Sequence, residues 1–283
     1  MKYNIVVGYV KEILSQYDTK LTLRQTFYRL VANYGLVNKR GSYNTLSKQL
    51  VKARKQEDIP IDSIIDRSRN IIPSGDDDDG KPEDYFKRIK GWLHNDCAKQ
   101  YSLSMWKPQD HRIEVWVEKD ALSEVIGQIT KRFNVLTAPS RGYSSFSYIL
   151  DATKRFPDKE NVVLLFTDHD PSGIDMERDL QKRLDEDSSF PITVKRLGLT
   201  YDQVQKYDLS PNRTKKTDTR SKSYEKLYGN DCWELDALPP DVLQKLVEDN
   251  IRKYIDVYKW NNQLKAIEKG RKKVQKLIDE FLG

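Results

Sequence analysis

VVLLFTDHDPSGID, residues 162–175, joins five apolar residues to an acid-rich turn and then to the start of a helical pattern. A strand with no polar residue is what the centre of a parallel sheet requires, because helices cover both of its faces. Outward from this stretch the alternation is regular. Upstream, residues 113–117 (IEVWV) read as a strand, 121–133 as a helix, 135–138 as a short strand and 145–155 as a helix. Downstream, residues 174–187 read as a helix and 192–197 as another strand. This β–α alternation predicts an α/β fold, with a doubly wound, mostly parallel, Rossmann-like sheet.

Two of the strands run directly into acids. The first ends at Glu118-Lys119-Asp120 and the central one at Thr167-Asp168-His169-Asp170. In open α/β sheets ligands bind beyond the carboxyl ends of the strands, which places Glu118, Asp168 and Asp170 near one rim. Residues two apart in an extended segment point the same way, so Asp168 and Asp170 are expected to face one site. Oxygen donors without soft ligands suit a hard cation such as Mg²⁺, with a nucleic-acid phosphate completing the shell. The competing structural role for Asp170 or Ser172 is to cap the following helix. His169 is expected to point away from the acids and to be structural. No GxxxxGK[ST] loop occurs, so P-loop hydrolysis of ATP is not expected.

Composition narrows the partners. Charged residues make up 33% of the 283 and the formal net charge is +6, which favours a polyanion. The excess is local: residues 1–69 hold thirteen Lys/Arg against six Asp/Glu, a net +7. Cys97 and Cys232 stand far apart and His94, His111 and His169 are scattered, so neither a disulfide framework nor a zinc site is indicated. No apolar run reaches the ~20 residues of a membrane helix and no signal peptide is visible. The expectation is a cytoplasmic, nucleoid-associated protein with no membrane partner.

The basic N-terminal module reads as three short helices. Residues 4–16 form the first, with Ile5, Tyr9, Ile13 and Leu14 on one side. Thr22 caps a second over 23–33, with Leu23, Phe27, Leu30 and Val31 at helical spacing and Gly35 as its stop. After a basic turn at Lys39-Arg40-Gly41-Ser42, a third helix spans 42–56, with Tyr43, Leu46, Leu50 and Ala53 inward. Its other face carries Lys48, Lys52, Arg54 and Lys55, and residues 59–65 read as extended. Three helices and a β-ribbon match the winged-helix plan for double-stranded DNA, with those four cations and Lys119 as candidate phosphate contacts. A small helical domain with solvated lysines is the plainer alternative.

Resemblance adds to this. Arg24-Gln25-Thr26-Phe27-Tyr28 resembles the cleavage motif of the topoisomerase VI A-type proteins and their relatives, the meiotic double-strand-break proteins. Val117-Glu118-Lys119-Asp120-Ala121 is similar to that family's Toprim glutamate segment, and Asp168–Asp175 to its Asp-x-Asp-Pro-x-Gly segment. Leu197-Gly198-Leu199-Thr200 and Glu234-Leu235-Asp236-Ala237-Leu238 are similar to later elements, in the same order. The resemblance implies an N-terminal winged-helix domain followed by a Toprim domain and a helical C-terminal tail. It implies Tyr28 as nucleophile, Arg24 on the scissile phosphate, Mg²⁺ on Glu118, Asp168 and Asp170, and a homodimer in which one tyrosine meets the partner's metal site. Spacing alone gives Tyr28 only the role of a half-buried core tyrosine.

The expected organisation is a winged-helix domain over 1–69, an acidic linker and connecting helix over 70–108, a Toprim domain over 109–239 and a helical tail over 240–283. Only one short helix precedes Tyr28, so a reduced, stand-alone relative is expected, with a separate B-type ATPase as an open partner. Arg141-Gly142-Tyr143-Ser144 lacks the Pro-Asp pair expected after its glycine. Two other readings stay open: a Toprim nuclease using metal-activated water, and a DNA-binding protein with a relic Toprim domain.

Overall fold

The structure is a computed structural model that describes residues 1–65, 78–140, 145–213 and 221–282. The linker residues 70–77 and the loop 141–144 read from the sequence lie outside the described residues. The chain divides into two compact units. One comprises the described residues of Met1–Arg69 and His111–Lys253, and the other those of Asn70–Asp110 and Tyr254–Gly283.

The first unit begins with helix α1, Tyr3–Ser15. It buries Val6, Val7, Val10 and Ile13, whereas Ile5 is 46% exposed, so the buried face is rotated from the one expected through Ile5. Tyr9 explains the rotation, because its ring stacks on Tyr34 at 4.1 Å and occupies the flank rather than the centre. Strand β1, Leu21–Thr22, leads straight into α2, Leu23–Tyr34. Thr22 and Gln25 form a reciprocal capping box, and Gly35 ends the helix at φ 66°, a left-handed conformation that glycine adopts without strain. Helix α3, Arg40–Lys55, starts two residues before the expected position, so Lys39–Ser42 is its cap and first turn rather than a loop. Leu46, Leu50 and Ala53 face inward as expected, with Tyr43 only half-buried. The extended stretch expected over 59–65 shrinks to β2, Ile64–Ile65, because the chain turns at Pro60, whose carbonyl accepts the Ser63 amide. β2 pairs in parallel with β1, so the short ribbon clasps the start of α2.

In the second unit, α4, Pro82–Trp92, runs on through a π-helical turn, Leu93–Cys97, into α5, Ala98–Gln100. The connecting helix, which the sequence pattern extends over residues 83–106, therefore stops six residues early. Its partner in this unit is the last helix, given below.

The first unit resumes with the sheet. Strands β3, His111–Val117, β4, Leu136–Pro139, β5, Glu160–Phe166, and β6, Ile192–Gly198, are all parallel and ordered β4-β3-β5-β6. They are connected by α6, Asp120–Arg132, α7, Phe146–Thr153, and α8, Pro171–Asp187. Trp116, Val163, Leu165 and Val194 pack with Ile149, Ala152, Met176 and Leu180 in one core layer, on the face that α7 and α8 cover. Glu114 lies in this layer and is fully buried; Arg155 donates to both of its oxygens, at 3.0 and 2.8 Å, and the Trp116 indole donates at 2.9 Å. That satisfaction is what a buried carboxylate requires. Alternate residues Ile113, Val115 and Val117 serve the opposite face, where α6 lies.

After β6 come α9, Tyr201–Lys206, the short antiparallel pair β7, Asn212–Arg213, and β8, Asp231–Cys232, with α10, Ser221–Tyr228, between them. A 3₁₀ turn, Leu235–Ala237, precedes α11, Pro240–Arg252, which packs on α6. The tail expected over 240–283 is thus helical but divided: α11 belongs to the first unit, and α12, Val257–Leu282, to the second.

Candidate active site at the strand ends

Sheet order determines where the site lies. The chain leaves β3 toward β4, then returns to place β5 on the other side of β3, so β3 and β5 flank the point where the winding reverses. Crevices at such points take ligands. Val117 is level with Phe166, and the Glu118 amide donates to the Phe166 carbonyl at 2.9 Å, which sets Glu118 beside the end of β5.

Here the acids are linked through backbone. The Asp168 amide donates to Glu118 Oε2 at 3.1 Å. Asp168 Oδ1 accepts the Leu235 amide at 2.7 Å and faces Lys119 Nζ at 3.0 Å. Asp170 turns into α8 as its N-cap, its Oδ1 accepting the Gly173 amide at 2.7 Å. Both roles foreseen for Asp170 therefore bear on one side chain, and its cap is the one formed here. Gly173 is required at this turn, since a Cβ there would stand 2.2 Å from the Asp168 carbonyl oxygen. Burial raises the Glu118 carboxyl above its usual range, reinforced by Asp170. Burial also pushes Asp168 up to about 7, with Lys119 opposing and Glu118 and Glu234 reinforcing.

Lys119 has surroundings unlike those of a phosphate-gripping cation. Its ammonium lies 2.8 Å from Asp236, 2.9 Å from Glu234 and 3.0 Å from Asp168. Burial disfavours its charge, but the three carboxylates outweigh burial and hold it well above the ordinary lysine range. Three donors meet three acceptors, so Lys119 gathers the acids together.

Glu234 also pairs with Arg24 of α2. Its Oε2 is therefore shared between Arg24 and Lys119. The Glu234–Leu238 segment is the joint between the helical module and the acid rim. Leu235 holds Asp168, Asp236 holds Lys119, and the Ala237 carbonyl accepts Arg29 of α2.

Tyr28, one turn after Arg24, is buried at 5% exposure, deeper than the half-buried position expected. Asn212 Nδ2 donates to its hydroxyl at 2.9 Å. Burial raises the pKa of the phenol, Glu234 adds to this, and the Asn212 bond, Lys119 and Arg24 work against it. Tyr28, Arg24, Tyr43, Asn212 and Glu234 line a cleft of about 450 Å³. A second cleft of about 800 Å³ is lined by Glu118, Lys119, Asp168 and Asp236 and shares Arg24, Tyr43 and Glu234 as walls. Tyr28 and the strand-end acids thus adjoin within one unit of one chain.

Among the described residues no three His, Cys, Asp or Glu side chains gather into a ready metal cage. Mg²⁺ does not need one, since it is commonly held by one or two carboxylates with phosphate oxygens and water. Glu118 and Asp168, both on the larger cleft, fit as such an open oxygen pair. Asp170 has one oxygen committed to its helix cap.

Of the basic residues on α3, Lys48, Lys52 and Lys55 are exposed, with Lys52 placed over the Tyr3 ring at 4.5 Å. Arg54 is half-buried, donates to the Ile64 carbonyl at 3.4 Å and lines the larger cleft. His169 is structural: it is buried, its Nδ1 lies 2.8 Å from the Tyr224 hydroxyl, and burial lowers its pKa to about 4. Burial pushes the Cys232 thiol up to about 12, which leaves no ready thiolate. Sequence reading missed Asn212 altogether. It placed Glu234 and Asp236 in a similar element without assigning them a role, and their only signal was that likeness. No model of a known protein family matches the chain, and no curated protein does. No helix among the described residues is long and apolar enough to cross a membrane.

Proposed function

We propose that this chain cleaves double-stranded DNA in a Mg²⁺-dependent reaction of the topoisomerase VI A type, with a winged-helix-like N-terminal module, a Toprim-like sheet and Tyr28 as nucleophile. One observation carries this reading: Arg24 and Tyr28 line a cleft that shares its walls with the cleft of Glu118 and Asp168. The phenol oxygen attacks phosphorus, the bond to the 3′ oxygen breaks, and a phosphotyrosine and a free 3′-hydroxyl result. The phenol proton leaves to water in the cleft, and the 3′ oxygen takes one up. Asn212 donates to the phenol oxygen, a bond that strengthens as the oxygen gains charge. Arg24 steadies the scissile phosphate. Held by Glu118 and Asp168, with Asp170 adjacent, Mg²⁺ would neutralise phosphoryl charge and stabilise the leaving alkoxide. Lys119 positions Asp168, Glu234 and Asp236, while the exposed Lys48, Lys52 and Lys55 supply salt-sensitive contacts to the duplex. A homodimer and a separate B-type ATPase belong to this reading as partners.

A second reading has its own support. Tyr28 is buried and its phenol is raised, whereas the acids open on the larger cleft, which favours a Toprim nuclease using activated water. Supercoiled DNA incubated with protein and Mg²⁺, stopped with detergent and run with and without protease separates the two. Protein-linked breaks, lost in both Tyr28→Phe and Asp168→Ala, are expected. Protein-free breaks that survive Tyr28→Phe would transfer the assignment to the hydrolytic nuclease, and no cleavage by wild type would leave DNA binding alone.

A further inference from the structure

We propose that the helical hairpin of the second unit is a self-association surface, whose occupant is the same hairpin of a second copy of this chain. The proposal deepens the homodimer of the proposed reading by giving it a surface, and it stands whether or not the chain cuts DNA.

Inside the hairpin, α12 runs antiparallel to the helix that begins with α4. Gln275 donates to the His94 carbonyl, Arg271 to the Tyr101 carbonyl and Gln263 to the Ser104 carbonyl. Trp106 meets Trp260 edge-on at 5.9 Å. Along α12 the inward stripe is Trp260, Ile267, Gly270, Val274 and Ile278, at helical spacing. Both stripes continue past the point where the helices touch. On α12 the next position is Phe281, 81% exposed, with Leu277 beside it at 56%. On α4 the stripe continues back from Leu93 through Ile89 to Phe86, 69% exposed, flanked by Tyr85 and Trp92 at 43% and 44%. No residue of α4 is buried. The first turns of this continuous helix carry an apolar stripe that faces water, while its later turns pack on α12.

Charge identifies the occupant. Asp78, Asp79, Glu83 and Asp84 cluster at the α4 end, where Asp79 also pairs with Arg88, while Lys269, Arg271, Lys272, Lys273 and Lys276 crowd α12, where Lys272 and Lys276 also pair with Glu268 and Glu280. A two-fold arrangement pairs like apolar stripes at its centre and sets the acidic end of each copy beside the basic stretch of the other. A single surface carrying both halves of the complement is what an isologous interface needs. Aromatic side chains bury roughly 150–250 Å² each when fully covered, so the exposed fractions on two copies sum to on the order of 1,000 Å², the lower limit for a specific dimer.

Sedimentation equilibrium of the full chain tests this. Wild type is expected at twice the mass of one chain. Phe86→Asp with Phe281→Asp, both at exposed positions, is expected to raise the dimer dissociation constant by about a hundredfold or more while leaving the thermal melt of the first unit in place. Lys272→Glu with Lys276→Glu weakens the dimer, and adding Glu83→Lys with Asp84→Lys restores it. A wild type that stays monomeric, or a dimer indifferent to the Phe86 and Phe281 changes, overturns the proposal. So does a charge-reversed pair that the second reversal fails to rescue, an outcome expected if the basic stretch instead binds nucleic acid.

Discussion

Gly173 has the narrowest tolerance at the site. The turn from β5 into α8 brings its backbone against Asp168, where a methyl group would stand 2.2 Å from a carbonyl oxygen. Gly173→Ala is therefore expected to cost about 2 kcal/mol or more and to lower the melting temperature by several degrees, with Ser172→Ala as a control near wild type. Under the proposed function, cleavage should fall further than stability, because the displaced segment carries Asp168. Asp168 and Asp170 were singled out in the sequence, and the capping role weighed for Asp170 is the one its side chain takes here, but the close approach that requires Gly173 was not foreseen. The partners of Lys119 were not readable in the sequence for a physical reason. A lysine beside an acid on a loop looks free to meet phosphate, but two of its partners, Glu234 and Asp236, lie 115 and 117 residues away. Such pairing leaves no local pattern.

Helix α2 carries both Arg24 and Tyr28, so its first turn sets their aim. Thr22 and Gln25 close that turn reciprocally, and Thr22 pairs with Ile65 across the short parallel ribbon. Thr22→Ala is expected to cost about 1 kcal/mol and a few degrees of melting temperature, with a smaller loss of cleavage than Tyr28→Phe. Melting curves beside the detergent-trap assay check both. Elements held by local chemistry were readable: the cap at Thr22, the stop at Gly35 and the apolar run 162–166 within β5. Elements whose faces depend on a neighbour were less so. The burial of α1 turned on Tyr9 stacking against Tyr34, which periodicity does not reveal. The ribbon expected after α3 shortened because the chain turns at Pro60, and its partner is a strand more than forty residues earlier.

Within one chain, the tyrosine cleft and the acid cleft share Arg24, Tyr43 and Glu234. The family resemblance implies instead that each tyrosine serves its partner's acids. Mixing Tyr28→Phe with Asp168→Ala distinguishes the two arrangements. Action within one chain leaves every mixed dimer without a complete site, so the mixture is expected to stay inactive; recovery of protein-linked breaks would place the tyrosine opposite its partner. The α/β plan was visible from the β–α alternation alone, but the joint beside the acids was not, because it closes over very long separations. Arg24 meets Glu234 across 210 positions of chain. During synthesis the N-terminal helices and most of the sheet leave the ribosome before Glu234 does. A nascent chain therefore holds its tyrosine and its first acids without the segment that binds them together. Under the proposed function, cleavage is expected only after the chain has been made past Glu234 and this joint has closed.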